Sequence, residues 1–274
     1  MKRIAIALIC LIVICGTAFG FGQRQRDQNR IVAGVTLFPP MNYLDDNGNW
    51  TGFDTEFALA VGEKLGMEVS FQQIDWSRKF LELQAGNITA IWNGMTANVV
   101  DSVTGRPRFM DVDFTYAYMW NQQAVVIRSS RLNEFRTIED LVGKTAAAEA
   151  GSAGATIAQN AIGEGGRLIG TTSQIDTFVE VNSGAVDFAL VDILLASQMV
   201  SRGDLINLTM VVIQELPTEV YAIGFPRGSP MVARVNRVIA EMFESGELMA
   251  IAEKYGLESR LYLTTTPIYV LTPE

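Results

Sequence analysis

The chain has 274 residues, 49% of them apolar, a formal net charge of −9, two cysteines and no histidine. An acidic chain without a Lys/Arg run is a poor partner for nucleic acid or an anionic membrane surface. Without histidine the chain lacks the imidazole ligands of most zinc and transition-metal sites and every His-based catalytic triad, so no metal and no cofactor is expected.

Residues 1–20 come first in chain order. Met1-Lys2-Arg3 is basic, Ile4 through Ile14 is apolar, and Gly16-Thr17-Ala18 is small. This is the three-part pattern of a secretory signal. Its apolar run falls short of the ~20 residues of a membrane-spanning helix. Ala18-Phe19-Gly20 places the cut after Gly20 and the protein outside the cytoplasm, in the periplasm or extracellular space. Both cysteines, Cys10 and Cys15, lie in this segment, so the mature chain is expected to carry no disulfide. The alternative is a lipid anchor on Cys15, although Ile14 is bulkier than the residue that usually precedes such a cysteine. Residues 21–30 are mostly polar or charged and read as a flexible lead-in.

The 254 residues left after residue 20 suit one large domain or two ordinary ones. Short apolar runs predict strands at Ile31–Val35, Val69–Ile74, Ala90–Trp92, Ala124–Ile127, Thr145–Ala148, Asp187–Val191, Val211–Ile213 and Tyr221–Phe225. Helix periods fall between them. Asp54 is placed to cap a helix carrying Phe57, Val61 and Leu65 and ending at Gly66. Met231, Val235, Val238, Ile239 and Met242 mark another helix, and Glu247–Tyr255 a third that stops at Gly256. Alternating β and α predicts parallel sheets flanked by helices. For the tail after Leu261, a last strand and a frayed end stand as alternatives.

In open α/β sheets ligands bind outside the carboxyl ends of strands. Here those ends carry Phe38 beside Pro39-Pro40, then Asp75-Trp76, then Asn93-Gly94-Met95-Thr96. Arg106 and Arg108 precede Asp113-Phe114-Thr115. Glu149-Ala150-Gly151-Ser152 leads into a helix whose N-terminus favours an anion. The strand Asp187–Val191 ends in Asp192. These are parts for a zwitterion: arginine and a helix N-terminus for a carboxylate, Asp192 for an ammonium, Phe38 and Trp76 around the rest. Taken singly, a Gly-Ser turn is more often only a turn, and a strand-end aspartate only a solvated residue.

In this order the segments resemble the extracellular solute-binding proteins that serve polar amino acid ABC importers. The resemblance rests on Phe38-Pro39-Pro40-Met41 with Gly52-Phe53-Asp54, Leu83-Gln84-Ala85-Gly86, Trp92-Asn93-Gly94-Met95-Thr96, Leu141-Val142-Gly143-Lys144 with Gly151-Ser152, and Gly184-x-x-Asp187 with Val191-Asp192. It implies an α/β, two-lobed periplasmic-binding-protein-like (type II) fold, its two lobes joined by two crossover strands near 117–122 and 216–221. Residues 31–118 plus 220–274 would form lobe 1 and 119–219 lobe 2. It also implies a monomer that takes an amino acid and presents it to a membrane permease, with no nucleic acid and no catalysis. Arg108 and Ser152 would hold the α-carboxylate, Asp192 the amine, and Phe38, Trp76, Asn93, Gly94 and Thr96 would be first-lobe contacts. Three departures from the family pattern stand out. Residues 97–107 separate Thr96 from Arg108 and leave Arg106 as an alternative anion ligand. Val35-Thr36-Leu37 lacks the aspartate often found before the aromatic residue, which argues against a cationic ligand side chain, with Glu149 as a partial substitute. Thr89 stands at a position commonly aspartate, where a structural role is expected. The rival readings are a sensory module for a separate receptor and a dehydratase on the same scaffold, with Glu149 as its acid or base.

Overall fold

The computed structural model describes residues 29–201 and 205–272. The signal and lipid-anchor readings fall on residues outside that range. Within it, the chain builds two five-stranded sheets and a three-stranded ribbon between them.

The first sheet runs β4-β1-β5-β14-β6, from β1 (Arg30–Val35), β4 (Glu68–Gln73), β5 (Ala90–Ile91), β6 (Asp113–Phe114) and β14 (Gly224–Phe225). Strands β4, β1 and β5 are parallel, and β14 joins antiparallel. The second sheet runs β10-β9-β11-β8-β12, from β8 (Gln123–Arg128), β9 (Thr145–Glu149), β10 (Arg167–Thr171), β11 (Phe188–Asp192) and β12 (Leu208–Val211). Its first three strands are parallel, and β8 and β12 are antiparallel additions. Between the sheets, β7 (Ala117–Asn121) pairs antiparallel with β13 (Glu219–Tyr221) on one side and β15 (Leu261–Thr264) on the other. A two-stranded hairpin of β2 (Tyr43–Leu44) and β3 (Trp50–Thr51) completes the strands.

Side-chain volume explains where the helices sit. Ala146, Ala147 and Ala148 of β9 are fully buried and small. Helices α3 (Ala153–Ile162) and α4 (Gln174–Ser183) both pack against that strand. Gly154 brings the start of α3 onto β11; a Cβ there would stand 2.8 Å from the Leu190 carbonyl oxygen. In the first lobe α1 (Phe53–Leu65) buries Phe53, Phe57 and Val61. It packs against the amphipathic α6 (Met231–Glu244), whose buried stripe is Val235, Val238, Ile239 and Met242, and against α7 (Glu247–Lys254). Helices α2 (Lys79–Gln84), α5 (Ile193–Ser201) and α8 (Ile268–Leu271) finish the set.

Three expectations change, and the alternatives for the tail resolve to a strand. Asp54 does not cap α1. The N-cap is Gly52, with no side-chain bond, and Asp54 turns inward to the core. The strand expected at Val211–Ile213 lies earlier, at Leu208–Val211; Ile213 is buried outside it, its carbonyl accepting from Gln122 Nε2 at 3.1 Å. Tyr221–Phe225 is not one strand, because the chain leaves the ribbon after Tyr221 and enters the first sheet at Gly224. The tail forms β15 on the ribbon, and Ile268 of α8 packs with Ala97, Ala117, Val220 and Ala222.

Candidate functional site

All eight candidate residues line one cavity between the sheets: Phe38, Trp76, Asn93, Gly94, Thr96, Arg108, Ser152 and Asp192. Glu149, Gln123 and Gln174 line it too. Its volume is about 20 Å³, room for a water rather than an amino acid. Lys79 and Arg108 of the first lobe reach the Gly151 carbonyl of the second, so the lobes are closed on each other.

On the first lobe, Phe38 and Trp76 are buried aromatics at 2% and 5% exposure. Gly94 lies between Phe38 and Tyr221 with φ of 54°. A Cβ there would come within 2.6 Å of Phe38 Cε1, so only glycine fits both the conformation and the space. Asp54 holds this loop from beneath, accepting from the Gly94 N–H at 2.5 Å and from the Tyr118 hydroxyl at 2.8 and 3.0 Å. Burial pushes its carboxyl up to about 7, against the pull of those donors. Asn93 reaches the cavity wall, but its amide is engaged with the first strand. Its Oδ1 accepts from Thr36 N at 3.0 Å and Thr36 Oγ1 at 2.7 Å, and its Nδ2 donates to Thr36 O at 3.2 Å.

The segment 97–107 accounts for the arginine. Asp101, fully buried, accepts from Arg108 Nε at 3.1 Å and pairs with Lys79 Nζ at 2.6 Å. Burial would raise the Asp101 carboxyl, but Arg108 and Lys79 hold it below its ordinary value. Arg108 also donates to Thr96 O at 2.7 Å and, across the cleft, to Gly151 O at 2.8 Å. Lys79 donates to the same Gly151 oxygen at 2.9 Å. Arg106, by contrast, is half exposed and pairs with Asp111, away from the cavity.

On the second lobe, Ser152 caps α3, its Oγ accepting from Ala155 N at 3.0 Å. Gly151 has φ of 79°, and a Cβ on it would lie 2.8 Å from Ser77 Cα. The lobes thus meet backbone to backbone at this glycine. Asp192 ends β11 and is 4% exposed. It accepts from Leu194 N at 2.9 Å, from Asn121 Nδ2 at 2.7 Å and from the Tyr221 hydroxyl. Burial and the neighbouring Glu219 push its carboxyl up to about 7. Glu219, on the ribbon, is itself raised by burial. It accepts from Thr96 Oγ1 at 3.2 Å, Asn121 Nδ2 at 2.7 Å and Gln123 Nε2 at 3.0 Å.

Lys79, Asp101, Glu219 and Tyr221 therefore stand behind the cavity lining, bonded to Arg108, Thr96 and Asp192 or to each other, and no strand-end reading finds them. The legible sign was the acidic Glu219 beside the apolar Val220 and Tyr221 of a crossing strand. Lys79 and Asp101 carry no such sign, since charged residues on a short helix and in a turn ordinarily face water.

Two sheets closing on a charged cavity through a crossing ribbon define a two-lobed binding protein of the type II periplasmic class. The chain belongs to the bacterial extracellular solute-binding proteins, family 3, whose family model matches residues 31–258. It is 24% identical over 255 residues to the arginine-binding extracellular protein ArtP of Bacillus subtilis (strain 168), covering 92% of this chain and 95% of that one. It is 25% identical over 260 residues to the L-cystine-binding protein TcyJ of Escherichia coli (strain K12), covering 93% of each. Among solved structures it resembles an ancestral arginine-binding protein bound to arginine, with a TM-score of 0.75 and 27% identity over 83% of this chain and 98% of that one. A histidine-bound ABC uptake transporter substrate-binding protein from Streptococcus pneumoniae gives 0.73 and 27%, over 85% and 94%. Among the described residues, no helix is long and apolar enough to cross a membrane.

Proposed function

We propose that the protein captures a free amino acid in the cleft and presents the closed form to the permease of an ABC importer. One observation carries the reading: Arg108 and Asp192, on opposite lobes, line the same cavity with opposite charges. When the lobes part, Arg108 loses Gly151 O as acceptor and offers that N–H to an α-carboxylate, with the α3 N-terminus at Ser152 beside it. Asp192 and the Gly94–Thr96 loop receive the ammonium. Phe38 and Trp76 enclose the side chain. Closure then buries the ligand and couples binding to the shape the permease reads. The names of the relatives support an amino acid as the solute.

In this reading the protein is an exported monomer and not an enzyme. One observation favours the rival dehydratase: buried Glu149 is pushed up to about 8 by desolvation, so it holds a proton at neutral pH as a general acid would. A screen of the twenty amino acids by calorimetry separates the two, since capture gives one-to-one heat and no product. Asp192→Ala should weaken binding by about 2 kcal/mol or more, because a buried ammonium loses its charged partner. Unchanged affinity in that variant would remove Asp192 from the site.

A further inference from the structure

Of the buried carboxylates around the cleft, all but one are met by donors. Asp54 has Gly94 N and Tyr118, Asp101 has Lys79 and Arg108, Asp192 has Asn121 and Leu194 N, and Glu219 has Asn121 and Gln123. Glu149 is the exception. It ends β9 on the cavity wall at 3% exposure, and among the described residues its carboxylate takes part in no hydrogen bond or ion pair.

We propose, resting on the amino acid reading above, that Glu149 reads the ligand's side chain and selects one ending in an ammonium or guanidinium. The reason is charge balance in a dry cavity. The charged groups buried in and behind the cleft are two cations, Lys79 and Arg108, and five carboxylates, Asp54, Asp101, Glu149, Asp192 and Glu219, with the more exposed Asp75 and Asp176 also acting on Glu149. A zwitterionic ligand adds no net charge and leaves that excess to be neutralised by protons, the one on Glu149 among them. A cationic side chain meets it at the one carboxylate without donors. Lys79 and Arg108 are not free to do so, since Asp101 and the carbonyls of Thr96 and Gly151 occupy them. An acidic side chain would be repelled, because burial makes like charges costly to bring together.

The aromatic walls fit the same ligand. Phe38 and Trp76 offer apolar faces to an alkyl stem, and their rings favour a cation alongside. The upward displacement of the Glu149 carboxyl has a consequence here. A carboxyl pushed up to about 8 is largely protonated at pH 7 while the ligand is away, so a cation arriving beside it expels that proton. The residues before Phe38 lack an acidic group, and Glu149 supplies one from the opposite lobe.

The test is calorimetry on the full chain and on Glu149→Gln and Glu149→Leu, with L-arginine, L-lysine, L-glutamine, L-alanine and L-glutamate, in two buffers of different ionisation heat. The proposal expects arginine or lysine to bind the unaltered protein about 10- to 100-fold tighter than glutamine. It also expects proton release at pH 7 on binding the basic ligand. Both variants should lose most of that preference and the proton release while still unfolding cooperatively in urea, which shows that they are folded. Equal affinity for glutamine and arginine in the unaltered protein overturns this inference and leaves amino acid capture standing. Variants that weaken every ligand alike also overturn it. Heat from none of the amino acids overturns the capture reading and this inference together.

Discussion

Asp101→Asn is the substitution in which the closed structure is most exposed to test. Asp101 lies 2.6 Å from Lys79 Nζ and 3.1 Å from Arg108 Nε, and all three side chains are 1% exposed or less. The amide keeps the shape and removes the charge, so two buried cations face one another with only neutral acceptors. Removing one partner of a buried pair costs about 3–5 kcal/mol. Lys79 moderates the loss, because burial and the nearby Arg108 already hold its ammonium down to about 8. Without Asp101 the folded-state value falls further, and each unit adds about 1.4 kcal/mol of penalty while the lysine must still be charged. A base depressed in the folded state loses stability as pH drops from its unfolded value, 10.5, to its folded one. Extending that window downward makes the gap between the native protein and the variant wider at pH 6 than at pH 9. Urea denaturation at both pH values measures it, and Lys79→Met added to Asp101→Asn should recover part of the loss. A gap below about 1 kcal/mol at pH 6, or one indifferent to pH, would refute the reasoning.

Arg108→Ala should abolish amino acid binding, whereas Arg106→Ala, removing a half-exposed pair with Asp111, should leave affinity within about twofold in calorimetry. Gly94→Ala places a Cβ 2.6 Å from Phe38 Cε1 at a positive φ, so a stability loss of about 1–3 kcal/mol and weaker binding are expected from denaturation and titration. The unliganded protein should melt at higher temperature at pH 5 than at pH 8. Asp54 and Asp192 are raised to about 7 and Glu149 to about 8, so the unfolded chain gives up these protons first and stability falls as pH climbs from about 4. The carboxylates held low, such as Glu56 and Asp187, act only below that range. A melting temperature flat or rising from pH 5 to 8 would count against those three burials.

Much of the fold was legible in the sequence because β1, β8, β9 and β11 are apolar runs, and α6 has a clean buried stripe. What misled was local chemistry overridden by tertiary need. Asp54 has the composition of a cap but is drawn inward by Gly94 and Tyr118. Val211–Ile213 has the apolarity of a strand, but β12 pairs with β8 through Leu208–Val211. The strand-end rule brought eight candidates to one cavity because their positions follow from topology. It missed Lys79 and Asp101 because their partners lie 22 residues apart in sequence, and no pattern within either segment announces the pairing.

The Gly151 carbonyl, which accepts from both Lys79 and Arg108 across the cleft, is a main-chain group, as is the Val100 carbonyl that accepts from Thr156 Oγ1 at 2.7 Å. An acceptor on the main chain is present whatever side chain the position encodes. Mutation can therefore retune the Gly151 contact only through its two donors, through Asp101 behind them, or by denying residue 151 its left-handed conformation. Trp76 shares in that contact, its carbonyl accepting from Lys79 Nζ at 3.4 Å and its ring lying under the same ammonium, whereas Phe38 lies on the cavity wall outside it. A lineage of such proteins can change what it carries without relearning how to close.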